Sequence, residues 1–423
     1  MKERIAADAG PELGALSEQR VGWGFISLFT LAFMSTNLLF LPPLLVTLPL
    51  KISALVGIKE APDSLALVAG TGALLSIFAN PFFGRMSDRT TSRFGMRRPW
   101  MFIGLLGGSL GLLLIALAPS IPVVLVGWCM TQVFFNALLA AVVAVLPDQV
   151  PPKQRGLVSG VLGICLPTAA VSGTFLVRLV SGSQLATFLV PCGVAGFFIL
   201  LFAIVLRDRR LTVADRPAWS LREFASTFYV APWASPDFAW AFVSRFLFIL
   251  AFAFLTTYQA FYLLDKLGSA RADVPQQIFL GTLTNSVVVI AASLIAGQLS
   301  DRIGRRKIFV FTASVVYGVA MFVIAIASTF NGFLVGMAVG GLGFGTYTAV
   351  DLALVVDVLP AKDRVAKDLG VLNIAAALPF SIAPAIAPVI LAIGGGTYSA
   401  LYAVAGVCAV LGAVAILRVR GVR

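Results

Sequence analysis

Two residues of this sequence carry charge where charge is expensive. Asp351 lies eight residues from the end of one apolar stretch and Arg245 seven residues into another, depths of ~12 Å and ~10 Å at 1.5 Å per residue. Ionisable side chains at such depth are rare and mark ion pathways, proton relays or internal pairs. If Arg245 and Asp351 pair, two readings stand. The pair can open when a solute or a helix movement separates it, leaving a carboxylate able to take up a proton, which is a coupling device. Alternatively it never opens and only fixes helix packing. Asp148, at the end of a third apolar stretch, reads by its depth as a solvated helix-end group, and Asp357 is similar and weaker.

Uncharged groups able to hold a polyhydroxylated solute are Asn37, Gln132, Asn136, Tyr258, Gln259, Asn285 and Asn373. An amide both donates and accepts, and Gln132 with Asn136, four apart, share one helix face. The alternative for each is an interhelical hydrogen bond. Arg178, near the end of its stretch, reads as a side chain that snorkels to headgroups.

Other chemistries are excluded. The sequence has no histidine, so there is no imidazole relay, His-ligated metal or Ser-His-Asp set. Cys129, Cys165, Cys192 and Cys408 each sit in an apolar run without CxxC spacing and read as small buried hydrophobes. No GxxxxGK[ST] loop occurs, which excludes an ATP-driven pump. No metal or other cofactor is expected.

The elements that must position these residues are membrane spans. Of 423 residues 59% are hydrophobic and 12% charged, against roughly 45–50% and 25% in soluble domains. Stretches long enough to cross are Gly22–Leu50, Ser64–Phe83, Trp100–Ala118, Pro122–Leu146, Leu157–Val180 and Leu185–Leu206. After a polar interval come Phe238–Leu264, Ile278–Ala296, Ile308–Ala327, Gly332–Leu359, Leu369–Ile393 and Thr397–Leu417. The expected fold is all-α and polytopic, with twelve transmembrane helices. Residues 1–21 form an N-terminal tail, 22–206 one six-helix bundle, 207–237 a linker, 238–417 the second bundle and 418–423 a C-terminal tail. In the linker, Trp219, Leu221, Phe224 and Phe228 have helical spacing with Arg222 and Glu223 opposite, which fits an interfacial helix or an ordinary linker helix.

The net charge of +12 is not a nucleic-acid signature here, because its placement follows the spans. Of 31 Lys and Arg, 25 fall in the two tails and the loops on their side, including those bearing Arg89, Arg155, Arg302 and Arg364. By the positive-inside rule both termini are cytoplasmic, and the expected location is the plasma (cell inner) membrane.

The halves repeat. Gly84-Arg-Met-Ser-Asp88-Arg89 recurs as Gly297-Gln-Leu-Ser-Asp301-Arg302, and Leu146-Pro147 as Leu359-Pro360, each displaced by 213 residues. Two landmarks at one offset indicate a duplicated six-helix unit. With Arg97 and Arg98 after the first copy and Arg305 and Arg306 after the second, these loops resemble the GxxxDRxGRR signature of the major facilitator superfamily. The longer first copy, through Gly95-Met-Arg97-Arg98-Pro99, and Pro147-Asp148-Gln-Val-Pro are similar to the sucrose/proton and glycoside-pentoside-hexuronide symporters.

That resemblance implies a fold of two pseudo-symmetric bundles that rock about a central cavity lined by spans one, four, seven and ten, which places Arg245 and Asp351 on cavity helices. It implies that Asp88, Arg89, Arg97, Arg98, Asp301, Arg302, Arg305 and Arg306 form gating loops that latch one side shut; the alternative is that the arginines anchor to anionic membrane lipid. It also implies secondary active transport of a small molecule, a sugar such as a disaccharide, driven by protons. Sodium coupling of the melibiose type would need acids on span two, which has none between Ser64 and Phe83. A drug or metabolite efflux antiporter remains an alternative, although Gly163-Ile-Cys-Leu-Pro167 lacks the usual efflux signature. A sensor of the same fold that binds without transporting is the alternative outside transport. An enzyme is not expected.

Overall fold

A computed structural model describes residues 20–214, 216, 220, 236–357 and 374–419. The interfacial segment around Trp219 to Phe228, Asn373, the Leu359-Pro360 landmark and most of both tails lie outside the described residues. So do the side chains of Asp301 and Asp357.

Eleven helices are long and apolar enough to cross a membrane. The first, Trp23–Asp88, runs 66 residues, which as one straight helix would be ~100 Å long, three times a hydrocarbon core of ~30 Å. It is broken into two spans at Gly57, whose φ of 79° and ψ of 166° belong to a region that glycine alone enters without strain. The described residues thus form twelve spans. α1 comprises Trp23–Pro42, a π-helical turn Pro43–Thr47 and the residues up to Gly57, and α2 is residues 58–88. Pro42 and Pro43 remove two consecutive backbone donors, and the wider turn lets the chain continue past them. α1 is therefore longer than its hydropathy stretch.

α3 is Arg98–Leu117, α4 Ile121–Gln149, α5 Pro152–Leu179 and α6 Gln184–Val205. α7 is Pro236–Phe261, closed by a second π-helical turn, Tyr262–Lys266. α8 is Val274–Ile303, α9 Arg306–Ile326, α10 Phe330–Asp357, α11 Ile374–Ile393 and α12 Tyr398–Leu417. No strand occurs among the described residues.

One packing rule is used twice. α1 packs on α5 and α6, α2 on α4, and α3 on α4 and α6; shifted by six, α7 packs on α11 and α12, α8 on α10, and α9 on α10 and α12. Between the two sets, α2 meets α11 and α5 meets α8, again images of each other. Glycines set the closest approaches. A Cβ on Gly108 would lie 2.1 Å from the Phe135 ring, and one on Gly345 2.4 Å from the Val289 carbonyl, so α3 presses against a side chain of α4 and α10 against the backbone of α8. Gly156 and Gly160, which share the same spacing, face open space.

Candidate functional site

The structure brings Arg245 and Asp351 together across α7 and α10. Arg245 Nη1 donates to Asp351 Oδ2 at 2.7 Å, with the two side chains 18% and 9% exposed. Aromatic rings pack the pair from one side. Tyr347, one turn before Asp351, stacks on Phe248 with centroids 3.6 Å apart and planes 6° from parallel. Its buried hydroxyl has no hydrogen-bond partner among the described residues. Arg245 Nε is buried and has no acceptor among the described residues. A guanidinium has five N–H groups in a fixed fork, so this arginine can hold its acid and still offer a donor to a solute.

The amides fall into two groups. Gln132 and Asn136 are both buried, and the Asn136 amide donates to the Gln132 carbonyl at 2.7 Å and receives the Asn80 amide at 3.4 Å. Asn80 lies on α2, so this cluster sits where α4 meets α2. Asn285 occupies the equivalent junction of the other half, donating to the Met337 carbonyl at 3.0 Å from α8 to α10. Asn37 is half-buried on α1 and donates to Phe33 of its own helix at 2.9 Å. Tyr258 and Gln259 are buried on α7, and the Tyr258 hydroxyl donates to the Pro384 carbonyl of α11 at 3.2 Å.

At the end of the molecule that carries the arginine-rich loops, here the basic end, Arg97 is the hub. Its Nη2 lies 2.6 Å from Asp88 Oδ1 and its Nε 2.9 Å from Asp148 Oδ2, and Nη1 donates to Ser87. Asp148 thus serves as a partner of Arg97 at the helix end, 39% exposed. Burial alone would lower the Arg97 pKa, but Asp148 and Asp88 outweigh it and hold the guanidinium above its ordinary value.

The neighbouring carboxylate, Asp208, was not singled out by sequence reasoning. It accepts the backbone N–H groups of Arg97 at 2.7 Å and Arg98 at 2.8 Å, capping the N-terminus of α3 from a residue beyond α6. Gly95 makes room: at φ 103° a Cβ there would stand 2.2 Å from the Asp208 carboxylate. Arg98 in turn donates to the Leu206 carbonyl at the end of α6. The second half reproduces the device with Lys307, which donates to the Leu417 and Val419 carbonyls at 2.8 and 2.6 Å. Arg89 and Arg306 are half-buried, and Arg302 and Arg305 are exposed.

At the opposite, far end, contacts join the two halves. Arg178 lies over the Phe279 ring at 5.3 Å, and Phe175 packs on the same ring at 5.5 Å, linking α5 to α8. Arg271 donates to Ser53 at 3.3 Å. Arg178 therefore faces the other half of the molecule. Lys51 is buried and donates to the Ala116 carbonyl at 3.0 Å, satisfying an orphan acceptor at the C-terminus of α3.

The sequence pattern of the Major Facilitator Superfamily matches residues 23–285 and again 262–423. The chain belongs to the major facilitator superfamily. It is a transporter and an integral membrane protein. No curated protein sequence matches it. Solved structures do, at fold level. A mutant of the nucleoside transporter NupG superposes with a TM-score of 0.75 at 13% identity, covering 93% of this chain and 99% of that one. A mutant of the peptide transporter POT in complex with alafosfalin gives 0.71 at 15%, covering 96% of each chain. The human organic anion transporter MFSD10 gives 0.62 at 16%, covering 92% and 98%.

Proposed function

We propose that this transporter is a proton-coupled symporter of a neutral, hydroxyl-rich solute, a sugar or a compound containing one, working by alternating access. The observation that carries the reading is the buried Arg245–Asp351 pair with an unpartnered Arg245 Nε beside it. As an ion pair the two charges compensate; separated at this depth, either one is left bare at a cost of several kcal/mol. A solute hydroxyl that draws the guanidinium away leaves Asp351 to be neutralised by a proton, and the proton then travels with the solute. Asp148 is a second candidate for the proton, tied to Arg97 by the same kind of bond.

Support for a sugar is chemical: the solute-binding candidates are amides and a phenol rather than opposed charges, and the loop after α2 is similar to that of sucrose and glycoside symporters. The NupG structure adds nucleosides to the solutes worth testing. The basic end faces the cytoplasm of a cell whose plasma membrane holds the protein, with both tails on that side. The six helices from 22 to 206 and the six from 238 to 417 then act as rocking bodies, and the loops bearing Asp88, Arg97 and Asp301 as the gate between them.

Purified protein in liposomes, given labelled disaccharides, monosaccharides and nucleosides with and without an inward proton gradient, tests this. Accumulation of one class that collapses with a protonophore is the expected result. Flux unaffected by the gradient would remove the coupling, and flux of none of these solutes would remove the solute class.

A further inference from the structure

A groove of about 420 Å³ opens between α8 and α9, floored by α10. It is apolar except for Thr312 and Thr346, and its rim residues Ile295, Leu299, Ile308 and Leu342 are exposed along its length. A groove of that size has room for a run of well over a dozen methylene groups, one water-sized group needing only on the order of 10–15 Å³ of such space. That is the bulk of one lipid acyl chain.

The corresponding place in the other half carries a bulkier residue. At the 213-residue offset that relates Gly84 to Gly297, the residue opposite Ala296 of the groove is Phe83. Phe83 reaches across from α2 to pack at a tilt on Trp100 of α3, with centroids 5.3 Å apart and planes at 54°, and Trp100 is fixed by donating to Thr90 at 2.8 Å. With alanine in place of phenylalanine, the second half lacks the ring that bridges α2 and α3 in the first.

Charge identifies the occupant. Arg302 stands one turn beyond Leu299 on α8, and Arg305 stands at the N-terminus of α9, three residues before Ile308; both are exposed. The segment 297–307, from the last turns of α8 into the first of α9, carries Arg302, Arg305, Arg306 and Lys307 against the single acid Asp301. The basic mouth and apolar slot are thus in line along the membrane normal, the order of parts in a phospholipid. We propose that the α8–α9 groove is a binding site for an anionic phospholipid, one acyl chain lying in the slot and the headgroup phosphate held by Arg302 and Arg305.

The site is independent of the transported solute. To test it, Ile295→Trp places a fluorophore on the rim, and the full-length variant is reconstituted with phosphatidylglycerol or phosphatidylcholine brominated on the acyl chains. The signal is the quenching gained over the same protein without the added tryptophan. Phosphatidylglycerol should quench at a mole fraction on the order of thirtyfold lower, since each of the two arginines contributes about 1 kcal/mol beside an anionic headgroup that a zwitterionic one does not gain. Arg302→Gln with Arg305→Gln should remove that preference while leaving quenching by phosphatidylcholine unchanged. Ala296→Phe, which copies the first half, should weaken quenching by both lipids.

Equal quenching by the two lipids would overturn the proposal and make the groove ordinary lipid-facing surface. A preference that survives loss of both arginines would overturn the headgroup assignment and with it the site. No quenching by either lipid would show that protein covers the groove, from a second copy or from this chain. The arginine variant alters only exposed residues, so the test holds even if Ala296→Phe fails to fold.

Discussion

At the scale of single residues, the charges in the spans decide what is worth changing. Asp351→Asn is expected to abolish uptake driven by a proton gradient while leaving exchange of preloaded solute intact, read in the same liposomes; accumulation that persists would remove Asp351 from the coupling. Arg245→Gln leaves Asp351 buried without compensation, and should lower stability by about 3–5 kcal/mol. The double change Arg245→Gln with Asp351→Asn should recover most of that in thermal unfolding, because both charges leave together. Gly95→Ala brings a Cβ against Asp208 at a positive φ, and a loss of about 1–3 kcal/mol is expected; an unchanged melting temperature would mean that the α3 cap is dispensable. Asp351 and Arg245 stood out in the sequence because they interrupt apolar runs. Asp208 did not, because it sits in a run of charged residues and its partners lie 110 positions earlier in the chain. Asn80 escaped notice too: its bond to Asn136 depends on which faces of α2 and α4 meet.

At the scale of elements, hydropathy located all twelve spans, with described ends up to seven residues from those expected, because lipid tolerates no other arrangement of unpaired backbone groups. It missed that α1 runs on through Pro42 and Pro43, since proline ordinarily ends a helix and the π turn that rescues it leaves no hydropathy mark. Pairing between elements was legible only as a consequence of the repeat. The α5–α8 contact was not legible, and it makes a prediction of its own. Phe279→Ala removes both the cation–π contact with Arg178 and the packing of Phe175, together about 1–2 kcal/mol. Spin labels at the far ends of α5 and α8 should then report roughly a 5–30-fold shift toward a wider separation. Unchanged distances would mean that this aromatic contact does not hold the far end closed.

At the scale of the whole molecule, the distribution of Lys and Arg predicts orientation. A cysteine replacing Arg271 should react with a membrane-impermeant maleimide on intact cells, and one replacing Arg305 only after permeabilisation; the reverse pattern would invert the topology. The Asp208 cap has a further consequence for how the halves communicate. Because Asp208 and Arg209 are bonded to the start of α3, the chain leaving the first bundle is riveted, as far as Arg209, to a helix three spans upstream. Fully extended, residues 210–235 reach at most ~90 Å. Tension on that tether from the second bundle would be delivered to the N-terminus of α3 and, through Arg97, to the ends of α2 and α4, the same helix ends that carry Asp88 and Asp148.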